Sequence, residues 1–288
     1  MATNKAPSIV IYHRSDFDGI FCKQIARVKF DPDPSRVYIG YEYGDSVPVV
    51  RDTDTILMMD ISIPALMDHP NLVWIDHHKT AIDRFGPKPG YQLDGVAACR
   101  LTWKYWMGGH GDNPLPTLED FQERRVIEPL AVRLAGEYDV WDKRDPAAEM
   151  FQHGLRSCEI NWEFLLELVP DAHDYVRELL LASRHVAYAK TAENERIILA
   201  SGFDLKWSGL NFLACNHASY NSHLFTSGIK PEHDALLGFC WRGTKWAVSL
   251  YGAPGKPDID LSKIAAANGG GGHKQACGFT CATLPFAL

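Results

Sequence analysis

The chain has 288 residues, of which 46% are hydrophobic and 23% charged, the balance of a globular protein with one large or two moderate cores. Its net charge is −7, from 29 Lys and Arg against 36 Asp and Glu. Proteins that hold long duplexes by neutralising phosphates are usually basic. The composition therefore disfavours a binder of long duplex DNA and leaves small anionic substrates open.

No apolar run approaches the roughly 20 residues that a helix needs to cross a bilayer. The first seven residues lack the apolar centre of a secretory signal. Seven cysteines, odd in number and scattered, do not form a disulfide framework. We therefore expect a cytoplasmic protein with no membrane partner.

The first half of the chain alternates predicted strands with helical patterns. Apolar runs at 8–13, 36–43, 54–60 and 71–76 predict four short strands. Helices are predicted over 20–30, from a cap at Asp94 to Met107, and from Thr117, which has Asp120 three residues on. This alternation implies a doubly wound, mainly parallel sheet and an α/β fold class.

Acidic and imidazole side chains follow these apolar runs. In an open α/β sheet, ligands gather at the carboxyl ends of the strands. Asp16 and Asp18 would share one side of an extended segment, as would Asp76 and His78, with His77 on the other side. If the strands are parallel neighbours, one cleft collects all of the strand-end groups: His13, Asp16, Asp18, Asp60, Asp76, His77, His78 and Asp139.

This set of side chains predicts a metal centre. So many carboxylates cannot all stay ionised together without cations. Mixed imidazole and carboxylate ligation fits manganese, magnesium, iron or zinc, with manganese best suited to oxygen-rich six-coordinate sites. Two such ions form the standard clamp for phosphoester hydrolysis. The alternatives are an Asp-rich turn with a helix cap and a solvated loop after a strand.

The second half of the chain changes character. Helical spacing from 161 to 200, interrupted at Pro170, predicts a connector, and strands are predicted at 210–215, 235–241 and 245–251, the last two joined in a hairpin. We predict a metal-binding domain over 1–160, a helical connector over 161–201 and a smaller α/β substrate-binding domain over 202–288.

Four consecutive glycines, 269–272, precede His273 and Lys274. Successive backbone N–H groups without side chains can form a nest for an anion, and the histidine and lysine add donors and charge. A flexible linker is the alternative, but linkers seldom run straight into His-Lys and a strand-like segment. We therefore predict a second phosphate contact at this run.

These motifs together resemble those of the DHH phosphoesterases. Asp76-His77-His78 matches the motif that names the family, and His13-x-x-Asp16-x-Asp18-Gly19 is similar to its first motif. Asp60 and Asp139 resemble its second and fourth motifs. Gly270–His273 followed by Gly278-Phe279 resembles the signature of the DHH-associated C-terminal domain.

The resemblance implies a role for each matched residue. Asp76 would support the metal ligands, and His78 would face the scissile phosphate. Glu137 and Asp142 are rivals of Asp139 for the fourth motif. The implied metal ligands are His13 and Asp16 for one ion, Asp18, His77 and Asp139 for the other, and Asp60 as the bridge.

The substrate-binding set implied for the second domain is Gly270, Gly271, Gly272, His273, Lys274, Asn216, Ser222 and Tyr251. One departure concerns 249–251, Ser-Leu-Tyr, where the family often has Ser-Leu-Arg. The change removes a bidentate phosphate clamp. Tyr251 could stack on a base instead, or Arg242 or Lys245 could replace the arginine.

By this resemblance we expect an oligoribonuclease-like phosphodiesterase that degrades short RNA or DNA oligomers, or linear or cyclic dinucleotides, to mononucleotides. The alternatives are a 3′-phosphoadenosine 5′-phosphate phosphatase and, in another class, a non-catalytic nucleotide-binding regulatory protein. Two divalent metal ions are the implied cofactors, manganese first and magnesium next. Related proteins often pair through the first domain, so a homodimer is also implied.

Overall fold

The computed structural model describes residues 6–107, 114–142 and 144–288. The chain divides into two compact units, Met1–Val186 and Ala187–Leu288. Each unit has its own sheet and its own apolar cores. The division falls within helix α8 (Pro170–Ser201), inside the region predicted as a helical connector.

The first unit contains a parallel sheet with the strand order β2-β1-β3-β4-β5. Its strands are β1 Ile9–His13, β2 Val37–Tyr41, β3 Ile56–Met59, β4 Leu72–Asp76 and β5 Gly90–Gln92. The strand order reverses between β1 and β3. At such a switch point a crevice for ligands opens outside the carboxyl ends of the strands.

Helices cover both faces of this sheet. Successive strand residues point to opposite faces, so Val10 and Leu57 pack with α1, α3 and α5, while Ile11 and Met58 pack with α2. The predicted doubly wound α/β fold is therefore confirmed. The helices are α1 Phe17–Phe30, α2 Lys79–Phe85, α3 Ala98–Trp106, α4 Leu118–Gln122, α5 Leu130–Asp139, α6 Ala147–Ser157 and α7 Trp162–Leu165.

Two predicted helix starts have different outcomes. Thr117 caps α4, because its side chain accepts the N–H of Asp120 and the Asp120 carboxylate accepts the N–H of Thr117. The predicted start at Asp94 is wrong. Helix α3 begins at Ala98, and the preceding Ala97 has no side chain that could cap it. The oxygens that cap α3 come from Asp18, a distant residue in the chain.

The second unit contains a six-stranded mixed sheet with the order β10-β11-β9-β8-β7-β6. Arg242 N–H donates to the Lys245 carbonyl at 2.8 Å, which closes the predicted hairpin between β8 and β9. The unit also contains helix α9 Ser262–Ala267. Its strands are β6 Gly202–Trp207, β7 Leu210–Asn216, β8 Ala235–Trp241, β9 Trp246–Gly252, β10 Gly271–His273 and β11 Ala276–Cys281.

None of the helices within the described ranges combines the length and the apolar character that crossing a membrane requires.

The first core gives a stability prediction. Phe21 of α1 is fully buried and packs against Phe151 and Trp162, so Phe21→Ala should lower the free energy of unfolding by roughly 3–5 kcal/mol through lost burial and a cavity. Val28, on the same helix, is 44% exposed, and Val28→Ala should change it by at most about 0.5 kcal/mol. Urea denaturation measures both. Equal losses would contradict this packing.

Candidate metal centre

Carboxylate and imidazole groups converge at the carboxyl edge of the first unit's sheet. They form three groups, and within each group the candidate donor atoms lie within 4.8 Å of one another. The groups are His13, Asp16 and Asp60; Asp60, His77 and His78; and Asp18, His77 and Asp139. Asp60 and His77 each belong to two groups, so the three share members and form one continuous cluster.

Asp60 lies at the centre of this cluster. It follows β3 directly with a φ of +57°, a left-handed conformation that costs energy in a residue with a side chain. Its N–H donates to the Ile75 carbonyl at 2.9 Å, which holds the turn. Asp60 Oδ1 lies 3.4 Å from His77 Nε2, and Oδ2 lies 3.5 Å from His13 Nδ1. Its two oxygens therefore face two different donor groups.

Asp16 and Asp18 do not lie on an extended segment, so that prediction is wrong. Asp16 caps α1 by accepting the Gly19 N–H at 3.0 Å, and Asp18 lies in the first turn of the helix. A side chain at Gly19 would place its Cβ 2.0 Å from the His13 carbonyl oxygen. Glycine at this position therefore allows α1 to start against the end of β1.

Asp18 also caps α3. Its two carboxylate oxygens accept the N–H groups of Ala98 and Cys99 at 2.8 and 2.7 Å, across 80 and 81 residues of chain. Each carboxylate oxygen has a second lone pair, and Asp18 Oδ2 lies 3.6 Å from His77 Nε2. The same carboxylate thus fixes a helix terminus and faces the cluster.

The Asp76-His77-His78 motif ends β4. Asp76 is fully buried and accepts the N–H groups of His77 and His78, at 2.7 and 3.0 Å, and His78 Nδ1 lies 2.7 Å from the same oxygen. The expected pairing of Asp76 with His78 is therefore present. The prediction that His77 and His78 point to opposite faces is wrong. Their ring centroids lie 4.4 Å apart, and both rings approach Asp60.

Asp139 lies in the cluster. It was predicted at the end of a strand, but it is the last residue of helix α5. Its Oδ2 is 3.3 Å from His77 Nε2. The rivals lie elsewhere: Glu137 is buried in ion pairs with Arg124 and Arg133. The other rival, Asp142, forms an ion pair with Arg144. Of the three candidates for the fourth motif, the structure therefore brings Asp139 to the cluster.

Three carboxyl groups of the cluster have pKa values above the ordinary 3.8. Burial raises the pKa of Asp18 to about 6, and the charge of Asp16 adds to the effect. Burial also raises the pKa values of Asp60 and Asp139 well above 3.8, with the charges of Asp18 and Asp16 adding to both. These groups need either protons or cations beside them.

Two neighbouring groups are stabilised in their charged forms. Burial alone would raise the pKa of Asp76, but the hydrogen bonds and charge of His78, together with the charge of His77, outweigh burial and lower it. Burial alone would lower the pKa of His78, but the same bond to Asp76 raises it. The contact between Asp76 and His78 therefore favours a carboxylate beside a protonated imidazole at the edge of the cluster.

The donor set fits divalent metal ions. Within the described residues, Asp60 Oδ2 is buried without a hydrogen-bond partner, which is rare for polar atoms unless an ion or water satisfies them. His13 Nδ1 faces two carboxylate oxygens, Asp16 Oδ2 at 2.6 Å and Asp60 Oδ2 at 3.5 Å. Imidazole nitrogens and carboxylate oxygens are ligands that manganese, iron and zinc accept. The residues that would hold such ions lie among the three groups described above.

The substrate-binding residues predicted for the second unit do not all lie in one row of its sheet. His273 pairs with Ala276, which pairs with Tyr251 on its other side. Asn216 pairs with Phe239, three residues along β8 from the partner of Tyr251. Ser222 begins a 3-10 turn, and Lys274 is exposed in the β10–β11 turn. The substrate-binding role of these residues stays a prediction.

The glycine run ends a helix and begins a strand. Gly269 and Gly270 donate their N–H groups to the Ala266 and Ala265 carbonyls at the end of α9, so these two amides are not available for an anion nest. Gly271 and Gly272 belong to β10 and pair with β11. The linker alternative is wrong. If an anion nest forms at this run, its N–H groups must come from residues after Gly270.

Sequence reasoning missed Glu42, whose Oε1 lies 3.4 Å from His13 Nε2. The predicted strand 36–43 placed Glu42 inside β2, whereas the strand ends at Tyr41. Glu42 thus carries the same signal as the other members of the site, an acid just past the carboxyl end of a strand. The extra two residues assigned to the strand concealed it.

Comparison with known proteins gives structural likeness only. No family model matches the chain, and no curated protein matches it. Among solved structures, the DHH domain of a member of a ribosomal protein family is 16% identical, with a TM-score of 0.51, covering 95% of this chain and 82% of that one. The chain therefore has the fold of a DHH domain, as the motifs predicted.

Two other solved structures have lower TM-scores. The pGpG-specific phosphodiesterase PggH from Vibrio cholerae is 16% identical, with a TM-score of 0.44, and the match covers 94% of this chain and 92% of that one. RecJ from Thermus thermophilus, in complex with Mn²⁺, is 14% identical, with a TM-score of 0.46, over 96% of this chain and 50% of that one.

The raised carboxyl pKa values predict how a metal ion would stabilise the protein. Between pH 3.8 and about 6, folded Asp18 binds more protons than the unfolded chain, so its contribution to stability falls as pH rises through that range. A metal ion must displace those protons. The increase in Tm that Mn²⁺ produces should therefore be larger at pH 7 than at pH 5, measured by differential scanning fluorimetry.

The control is Asp60→Asn, which should lose most of the Mn²⁺-induced increase in Tm at pH 7. An increase of the same size at both pH values would contradict the assignment of these carboxylates to a metal site.

Proposed function

We propose that this protein is a manganese-dependent phosphodiesterase of the DHH type that hydrolyses short oligonucleotides or dinucleotides to mononucleotides. The observation that carries the proposal is the central position of Asp60, whose two carboxylate oxygens face separate donor groups 3.4 and 3.5 Å away. A carboxylate shared between two groups of ligands is what a two-metal centre for phosphoester hydrolysis requires.

The ligand assignment follows two of the three donor groups, with Asp60 shared between them, and leaves His78 of the third group outside the set. His13 and Asp16 would hold one ion, Asp18, His77 and Asp139 the other, and Asp60 both. When bound, two divalent ions supply Lewis acidity towards the phosphoryl oxygens and lower the pKa of a water molecule that can attack phosphorus. Manganese suits this mixed oxygen and nitrogen set.

His78 has a separate role in the proposal. Asp76 contacts Nδ1 of His78 at 2.7 Å and raises the pKa of the imidazole, which favours the protonated form. A protonated His78 can donate a hydrogen bond to a phosphoryl or leaving oxygen, where negative charge develops during the reaction. Asp76 orients this donor and favours its charged form.

The net charge and the second unit support a short nucleotide as substrate. At −7 overall, the protein has a net charge opposite to that typical of proteins that bind along a duplex. In the second unit, Tyr251 and His273 lie in one row of the sheet, on either side of Ala276. An aromatic ring and an imidazole in one row are suited to stacking on a base and donating to a phosphate.

The activity prediction uses a labelled dinucleotide. With Mn²⁺, the wild-type protein should release mononucleotides, and Asp60→Asn should lower kcat at least about 100-fold because a shared ligand supplies several kcal/mol of charge stabilisation. Asp76→Ala should lower it about 10–100-fold through loss of support for His78. Chromatography of the products, over a panel that includes cyclic dinucleotides and 3′-phosphoadenosine 5′-phosphate, measures both changes.

The control is Glu119→Gln, an exposed carboxylate on α4 that should keep wild-type activity. Release of inorganic phosphate from the bisphosphate alone would replace the phosphodiesterase with a phosphatase. If wild type and variants are equally inert on every substrate of the panel, the enzyme proposal is wrong and a nucleotide-binding protein remains.

His78→Ala separates phosphate contact from metal binding. If His78 donates to the substrate, the variant should lose about 100-fold in kcat while its Mn²⁺ affinity stays within about threefold of wild type. Isothermal titration of the metal-free protein with Mn²⁺, beside steady-state kinetics on the dinucleotide, gives the two quantities. A parallel loss of affinity would instead make His78 a metal ligand.

A further inference from the structure

Glu42 lies beside the metal centre but outside its three donor groups. Strand β2 is the sheet neighbour of β1, and its last residue, Tyr41, pairs with His13. Glu42 therefore stands one residue beyond the partner of His13, on the side of that imidazole facing away from Asp60. None of the donor groups found in the described residues includes Glu42.

Several contacts hold the Glu42 carboxylate in place. Its Oε1 accepts the Tyr43 N–H at 3.1 Å and lies 3.4 Å from His13 Nε2. Its Oε2 accepts a hydrogen bond from the Ser15 hydroxyl. Its own N–H donates to Asp45 Oδ2 at 2.9 Å. The carboxylate is thus fixed before any ion is bound, with one oxygen directed at the imidazole.

The two nitrogens of His13 face different surroundings. Nε2 faces Glu42, whereas Nδ1 lies 2.6 Å from Asp16 Oδ2 and 3.5 Å from Asp60 Oδ2. A neutral imidazole carries its proton on one nitrogen and a lone pair on the other, and the hydrogen bond at one nitrogen decides which. Asp16 and Glu42 each offer a carboxylate to one nitrogen, and the Asp16 contact is the shorter. If Nδ1 and Asp16 both bind a metal ion, the lone pair must be on Nδ1, and the Glu42 carboxylate can then accept the proton that stays on Nε2.

We propose that Glu42 is a positioning residue that fixes the ring orientation of His13 and accepts its Nε2 proton when Nδ1 binds a metal ion. The inference rests on the proposed two-metal centre and adds a residue that the motifs do not contain. Carboxylates that hold a ligand histidine by its other nitrogen typically change metal affinity 10–100-fold when they are removed.

Asp45 provides a matched control, because it stabilises the same loop without contacting His13. It accepts the Glu42 N–H and forms an ion pair with Arg14. Asp45→Asn weakens the loop, and Glu42→Ala removes the contact to the imidazole as well. A purely structural role of Glu42 predicts similar effects of the two variants on metal binding.

The experiment is isothermal titration of metal-free wild type and variants with Mn²⁺. Glu42→Ala should weaken Mn²⁺ binding about 10–100-fold, and Asp45→Asn should weaken it less than about threefold. Glu42→Gln should recover part of the loss, since its amide oxygen can still accept the Nε2 proton. Thermal melts without metal report whether each variant is folded.

A double-mutant cycle tests whether Glu42 acts through His13. On a His13→Ala background, Glu42→Ala should cause no further loss of Mn²⁺ affinity. Equal affinities for wild type, Glu42→Ala and Glu42→Gln would overturn the inference, as would an additive loss on the His13→Ala background. If wild-type protein binds no Mn²⁺, the proposed function itself fails, an outcome distinct from either of these.

Discussion

The crowding of carboxylates around Asp60 is the constraint on which the rest of the site depends. Burial and the charges of Asp16 and Asp18 raise the pKa of Asp60 well above its usual value, so the cluster cannot hold all its negative charge without compensation. The sheet imposes this proximity, because β1 and β3 are neighbours and their carboxyl ends open at the same switch point. The repulsion that would destabilise an empty cluster is what a pair of divalent cations would relieve.

Asp18 couples this cluster to the fold. By accepting the first N–H groups of α3, it satisfies backbone donors that no local cap supplies, and the positive end of the helix dipole offsets part of its charge. The donor cluster and the start of α3 thus share one side chain. Asp76 has a comparable position in β4, where it accepts backbone and imidazole donors at once.

Much of this architecture could be predicted from the sequence. Strands β1 to β4 of the first sheet, the hairpin at 242–245 and the cap at Thr117 follow from local periodicity and turn chemistry. The three-residue strand β5 was not predicted. The glycine run is a different case. Its first two amides end α9 and its last two glycines pair with β11. A Cβ at Gly270 would lie 2.1 Å from the Gly278 carbonyl oxygen, and one at Gly272 would lie 2.7 Å from Cys277 Cα, so these two positions exclude side chains. Composition alone could not distinguish this use from a nest.

The sequence by itself determined the donor types and their order along the chain, because acids and histidines that follow apolar runs mark strand ends in a parallel sheet. Only the tertiary structure decided which of them meet. It placed Asp139 on a helix end, turned both His77 and His78 towards Asp60, and set Glu42 behind His13. Such pairings depend on strand order, helix termini and side-chain direction across tens of residues, and local periodicity carries no information about them.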